Sequence, residues 1–166
     1  ALRGRVDIES RPGQGSIFRL RLPLTLVITD GMLVKVGDER YIIPTINIDM
    51  SFRPTMDTIS TIGGRGEMVK KHGSMLPIIR LHNLFSVSNA VQELGDGLLV
   101  IINEGSHRCA LLVDGLLGQQ QVVAKSLGEG IQQVKGVSGG AILGDGKVGL
   151  ILDTAAISNI ARNSVH

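Results

Sequence analysis

Gly136-Val137-Ser138-Gly139-Gly140 has the spacing of a nucleophile elbow, the strand-to-helix turn that presents a serine to an acyl carbon. That chemistry requires a helix directly after the serine. Here Ser138 is followed by glycines and then by Ala141-Ile142-Leu143, a short aliphatic strand, so Ser138 is read as part of a turn in a β-domain. The four histidines, at 72, 82, 107 and 166, contain no pair at ligand-like helical spacing, and with the single cysteine, Cys109, they do not make a zinc site. Asp114 and Asp153 each close an apolar strand, the position of a turn or cap residue more often than of a general base. The glycine pairs Gly13-Gln14-Gly15 and Gly128-Glu129-Gly130 fall short of a phosphate-binding fingerprint, and no P-loop occurs. What remains is non-covalent chemistry. Met32, Leu33, Ile46, Ile48, Met50 and Met56 lie at strand starts and at a strand-to-loop transition. Each is a core candidate singly, but a small barrel interior cannot hide all of them, and methionines adapt well to partner surfaces.

The elements that must position these residues are β-strands. Of 166 residues 43% are hydrophobic, yet there are three Phe, one Tyr and no Trp, so the core is aliphatic. The 22 glycines exceed the usual share of about 7% and fall between short β-branched runs, a pattern of many turns joining many strands. A net charge of +2 with no like-charged block gives no footprint for nucleic acid, and four aromatic residues offer no stacking platform for bases. One cysteine excludes an intrachain disulfide and fits a reducing compartment. No signal peptide or apolar run long enough to cross a bilayer is visible, so the expected location is the cytoplasm, without direct membrane insertion.

Residues 1–24 read as a hairpin turning at Ser10–Gly15. Strands follow at 32–36, 40–43 and 46–50, then a polar loop over 51–66, strands at 67–70 and 75–79, and a short helix at 80–85. After a polar connector the pattern returns. Gly97-Leu98-Leu99-Val100-Ile101-Ile102 echoes Gly31-Met32-Leu33-Val34-Lys35-Val36, Arg108–Val113 answers Arg40–Ile43, and Lys147–Leu152 leads into a helix at Ala155–Ala161 as Met75–Ile79 led into the first. This internal repeat of about 66 to 70 residues predicts two copies of a five-strand unit, each too small to bury much core alone and so sharing an interface. Gly144-Asp145-Gly146 has the chemistry of a tight hairpin turn, and Asp153 or Thr154 that of a helix N-cap.

Several segments together resemble the chemotaxis histidine kinase family CheA. Ala1–Leu26 resembles the end of its ATP-binding domain, with Gly15-Ser16-Ile17-Phe18 matching that domain's final box. Asp30–Val36 through Tyr41-Ile42-Ile43-Pro44 resembles the start of its regulatory domain. The most diagnostic stretch is Ala110–Gln119 followed by Val122-Val123-Ala124-Lys125, supported by Val134–Gly146.

The resemblance implies an all-β, CheW-like fold of two five-stranded SH3-like barrels with short helices, preceded by a hairpin remnant of an ATP-binding α/β sandwich. The expected boundaries are 1–24 for the remnant, 25–160 for the regulatory domain of two interlocked barrel subdomains, and 161–166 for a frayed tail. It implies a protein-interaction module that couples the kinase to the adaptor CheW and to chemoreceptor tips in membrane-associated arrays, the remainder of the kinase being a further partner. A stand-alone CheW-type adaptor is the alternative. Gly15, Ser16 and Phe18 are then only a remnant of a nucleotide box. The chain itself is expected to have no catalytic or metal-binding residue and no cofactor, ATP and magnesium belonging to the parent kinase. Partner contacts are expected at Met32, Leu33, Ile46, Ile48 and Met50 on the first barrel, and at Leu112, Val113, Asp114, Gly136 and Val137 near the region between barrels.

Overall fold

The computed structural model describes residues 5–13, 15–21, 28–61, 66–124 and 135–165. The chain opens with a hairpin of β1 (Arg5–Arg11) and β2 (Gly15–Arg21), paired from Arg5↔Arg21 to Arg11↔Gly15 in a two-stranded sheet of its own. Then come β3 (Ile28–Val36), β4 (Glu39–Pro44), β5 (Ile48–Phe52), β6 (Ile59–Thr61), β7 (Glu67–Lys71) and β8 (Ser74–Arg80), ending in the single turn of α1 (Leu81–Leu84). The second half holds β9 (Leu98–Glu104), β10 (His107–Val113), β11 (Gly115–Val123), β12 (Val137–Ile142), β13 (Val148–Leu152) and the helix α2 (Thr154–Val165).

The repeat is present, but its two copies exchange strands. One sheet has the order β11-β3-β4-β13-β12 and the other β5-β9-β10-β8-β7-β6. The hairpin β3–β4 of the first copy thus lies between strands of the second, and β9–β10 of the second lies between strands of the first. In each sheet the junction is a parallel pair, β4 with β13 at Tyr41↔Leu150 and β10 with β8 at Ala110↔Ile78. The third strand of each copy crosses to the other sheet: β5 joins β9, and β11 joins β3. Neither half can complete its sheet without the other, which is how units too small for a core of their own become stable.

Burial follows from that exchange. Side chains alternate along a strand, so a hairpin covered on both sides is apolar on both faces. Val34, Val36, Tyr41 and Ile43 face Val100, Ile102, Leu111 and Val113 in a cluster between the sheets, which α2 closes with Ile157 and Ala161. The alternate residues point the other way. Leu33 and Ile42 join Val122, Ala141, Leu143 and Ile151 inside the first sheet, and Leu99, Ile101, Ala110 and Leu112 join Val69 and Leu76 inside the second. Each sheet therefore curls about its own small cluster. The glycines that begin the two echoed strands share one job: a Cβ on Gly31 would lie 2.3 Å from Ile42 Cγ2, and one on Gly97 2.8 Å from Leu112 Cδ1.

Two expectations about elements need correction, and one strand has no counterpart among the expected ones. The segment 51–66 is not wholly loop, because Ile59–Thr61 adds β6 to the edge beyond β7 and makes the second sheet six-stranded. Residues 115–123 form the long strand β11, bent by a register shift between Leu116 and Gly118; its glycine and glutamines conceal any alternation. The terminal helix starts where Asp153 Oδ1 accepts from the backbone N–H of Ala156 at 3.1 Å, but it runs on to Val165, so the tail expected to fray from 161 is helical that far. Ala161 holds this last part down in the inter-sheet cluster.

Candidate docking surfaces

The residues expected to face partners do not form one surface. Leu33, Leu112 and Val113 are core side chains, at 4%, 1% and 1% exposure. Met32 and Ile48 are half-buried against the inter-sheet cluster, and Met50 against the interior of the second sheet. Gly136 is buried, its Cβ position facing Ile157, Leu84 and Phe85, and Val137 is half-buried in β12. Only Ile46, in the 3-10 turn Thr45–Asn47, stands clear of the protein at 92% exposure, and Met56 is likewise exposed. Alternation marks which positions share a face, but it does not reveal that the central hairpins are covered on both.

Asp114 does occupy the region between the sheets, and its carboxylate is committed there. Oδ2 accepts from the backbone N–H of Gly37 at 2.9 Å, and Oδ1 from that of Val91 at 3.0 Å. Its own N–H donates to the Lys35 carbonyl at 2.8 Å. One side chain thereby ties the β3–β4 turn, the connector after α1 and the crossover from β10 to β11. Gly37 takes φ +60 at that joint, and a Cβ there would lie 2.6 Å from the Ser88 carbonyl oxygen. A second tie crosses the connector from the other sheet: Arg80 pairs through two nitrogens with Glu67, at 2.8 and 2.7 Å, and donates to the Gln92 carbonyl. The Tyr41 and Phe85 rings stack at 4.8 Å between centroids beside the same connector.

Residues with chemical potential are in structural roles. Ser138 lies in β12 and donates to the Ile151 carbonyl at 3.3 Å, with a strand rather than a helix after it. Cys109 is buried 4.0 Å from Ser158 Oγ, and burial pushes its thiol up to about 11, so it stays a protonated, unreactive thiol at neutral pH. His72 sits in the β7–β8 turn and His82 is buried in α1, while His166 falls outside the described residues. Among the described residues no three His, Cys, Asp or Glu side chains converge as metal ligands.

An exposed aliphatic surface belongs to the first sheet. Ile142 and Val148 are directly opposed across β12 and β13, 58% and 67% exposed. Ile28 and Val123 form a second exposed pair across β3 and β11, and Leu117 stands out at the bulge of β11. By register the first pair lies at the Val36–Glu39 end of the ladder and the second beyond the Gly31–Pro44 end, while their inward neighbours Ala141 and Val122 share one cluster within the curled sheet. Of the eight large aliphatic residues exposed among the described residues these are five, Ile46, Met56 and Met75 being the others. Exposed aliphatic pairs gathered on one sheet mark an interaction site more readily than single scattered ones. Sequence reading assigned Ile142 and Val148 to aliphatic strands without a face; their symmetric placement about the Gly144-Asp145-Gly146 turn was the available signal.

The model of the CheW-like domain matches residues 30–162. The chain belongs to the CheW-like domain family. Curated relatives agree: it is 41% identical over 162 residues to the chemotaxis protein CheA of Klebsiella aerogenes, covering 98% of this chain and 25% of the relative. It is 40% identical to CheA of Salmonella typhimurium, over 96% of this chain and 24% of that one, and 37% identical to CheA of Rhizobium meliloti, over 98% and 22%. The chain thus spans about a quarter of the length of these relatives. The crystal structure of the scaffolding protein TtCheW from Thermoanaerobacter tengcongensis superposes with a TM-score of 0.63 at 15% identity, covering 76% of this chain and 90% of that one, a likeness of fold. The curated relatives are chemotaxis proteins, and no helix among the described residues is long and apolar enough to cross a membrane.

Proposed function

We propose that this chain is the regulatory part of a chemotaxis histidine kinase and docks a CheW adaptor through the apolar rim of its first sheet. The rim is the observation that carries the reading, since Ile142, Val148, Ile28 and Val123 are exposed aliphatics with no role inside the fold. Buried against a second barrel they would form the dry centre that such interfaces need. Chemoreceptor tips and the remainder of the kinase are the other partners of this reading, in an array at the cytoplasmic face of the membrane. The kinase origin is favoured because relatives named CheA align over 162 residues, more than the 30–162 domain holds, so the match runs beyond it. ATP and magnesium belong in this reading to the rest of the kinase, with Gly15, Ser16 and Phe18 on β2 as remnants of a nucleotide box. A stand-alone adaptor is the second reading, and the 90% coverage of TtCheW favours it.

The test is calorimetric titration of the chain with the CheW adaptor of the same organism, with Ile142→Asp and Val148→Asp run alongside. Binding by the parent chain that is lost in either folded variant supports the rim. Leu33→Asp is unsuitable as a probe, because Leu33 lies within the first sheet and a buried carboxylate there would unfold the protein.

A further inference from the structure

A cleft of about 490 Å3 opens on the second sheet, between the β7–β8 hairpin, the start of β10 and the last turns of α2. Its apolar side is Met75, 41% exposed, with Leu76 and Pro77. Its polar side is cationic, formed by Arg108 and Arg162 with His107 between them in the lining. Arg162 is held in place without being neutralised: one guanidinium nitrogen lies 3.2 Å from His107 Nε2 and another 3.4 Å from Asn159 Oδ1. Arginine can only donate, so Nε2 of His107 is the acceptor in this contact. Arg108 has a loose ion pair with Asp49 at 3.6 Å, both side chains substantially exposed. Lys70 is directly opposite Met75 in the β7–β8 ladder and so shares its face.

The internal repeat supplies the control. It maps β10 onto β4, β8 onto β13 and α2 onto α1, and at the equivalent place a cleft of about 360 Å3 is lined by Asp38, Glu39, Tyr41, Phe85 and Leu150. The same position of the fold is acidic in one half and cationic in the other. The sign of the charge is therefore written into individual residues and is not a by-product of the architecture.

We infer that the cationic cleft is a docking site for an acidic peptide segment of a partner protein, one that offers carboxylates to Arg108 and Arg162 and an aliphatic side chain to Met75. Guanidinium groups match carboxylates in a fixed, two-toothed geometry, and an exposed methionine moulds itself to varied aliphatic shapes. A nucleic acid would instead want aromatic faces on which to stack, and the cleft has none. This surface lies on the other sheet from the apolar rim, so it stands whether or not the adaptor docks there.

The probe is a fluorescein-labelled peptide of repeated Glu-Glu-Leu, about twelve residues long, followed by fluorescence anisotropy against the chain. Saturable binding is expected, weakening as salt is raised, because exposed charges are screened within about 8 Å at physiological ionic strength. Arg162→Glu is expected to raise Kd at least about tenfold, and Met75→Asp to weaken binding as well, with both variants keeping the parent circular dichroism because both side chains lie at the surface. No saturable binding up to about 1 mM, where the free energy of association is already weak, overturns the proposal. So does binding that is unchanged in folded Arg162→Glu. A thymidine oligonucleotide of equal charge that binds as tightly, and indifferently to Met75→Asp, would make the cleft a general polyanion surface and overturn the peptide reading. Self-association in sedimentation, lost both in Arg162→Glu and in Asp38→Lys, would make the acidic cleft of a second copy the occupant and overturn it too.

Discussion

The two sheets are built to one plan and present different surfaces. Both have a central hairpin buried on both faces, a parallel junction to the closing hairpin of the other repeat, and a crossing strand on the far side. The first sheet ends in aliphatic pairs, Ile142 with Val148 and Ile28 with Val123. The second is finished with charge: Arg80 on Glu67, Lys71 lying 4.1 Å over the Phe52 ring, and Arg108 beside Asp49. The shared part is the part that folds. What differs lies in outward positions, where a substitution leaves the core untouched, and that is where a duplicated scaffold can take on separate functions.

Substitutions that ignore the difference should have the largest effects, and the same effect in both sheets. Ile42→Ala in the first and Leu99→Ala in the second each empty a closed cluster, at 1% and 0% exposure. Each should cost about 3 kcal/mol in urea unfolding, and because each sheet contains strands from both repeats, one transition should be seen by every probe. A separate melting step for either half would break the equivalence. Asp114→Ala comes next. It leaves the N–H groups of Gly37 and Val91 without their acceptor at the joint between sheets, with an expected loss of about 1–3 kcal/mol.

The second sheet should respond to mild acid through the partly buried Glu67. The hydrogen bonds from Arg80 hold its carboxyl below the usual 4.5. Their stabilisation is full above that value and is lost as pH falls through the lowered one. Glu67→Gln should flatten this acid limb while changing stability at neutral pH by less than about 1 kcal/mol, since the pair is partly exposed. The smallest stability effect belongs to the first sheet's rim. Val148→Asp should stay within about 0.5 kcal/mol of the parent in thermal unfolding, even though the same change is expected to abolish adaptor binding.

The repeat was legible because burial on both faces forces near-continuous aliphatic runs, and Gly31–Val36 and Gly97–Ile102 are two copies of that demand. The hairpin turn at Gly144-Asp145-Gly146 and the cap at Asp153 were legible because their backbone chemistry is local. Strand exchange was not. A period-two pattern assigns faces but carries no information about which sheet a strand joins, so β5 and β11 could not be sent across from their sequence alone. The docking candidates suffered most. Leu33 read as exposable because a small barrel interior cannot hide every aliphatic, whereas it lies inside the first sheet; Leu112 and Val113, placed near the region between barrels by resemblance, are buried, Val113 in the cluster between the sheets. Ile142 and Val148, in turn, lie in short aliphatic strands whose sequence does not say which side chains end at the edge of the sheet.

The central claim is that partner docking uses the first sheet's aliphatic rim, and amide and methyl chemical shifts of the labelled chain, titrated with unlabelled CheW adaptor, test it residue by residue. The account predicts perturbations concentrated at Ile142, Val148, Ile28, Val123 and Leu117, with the second sheet silent. Perturbations centred on the second sheet, with those five residues unmoved, would contradict it.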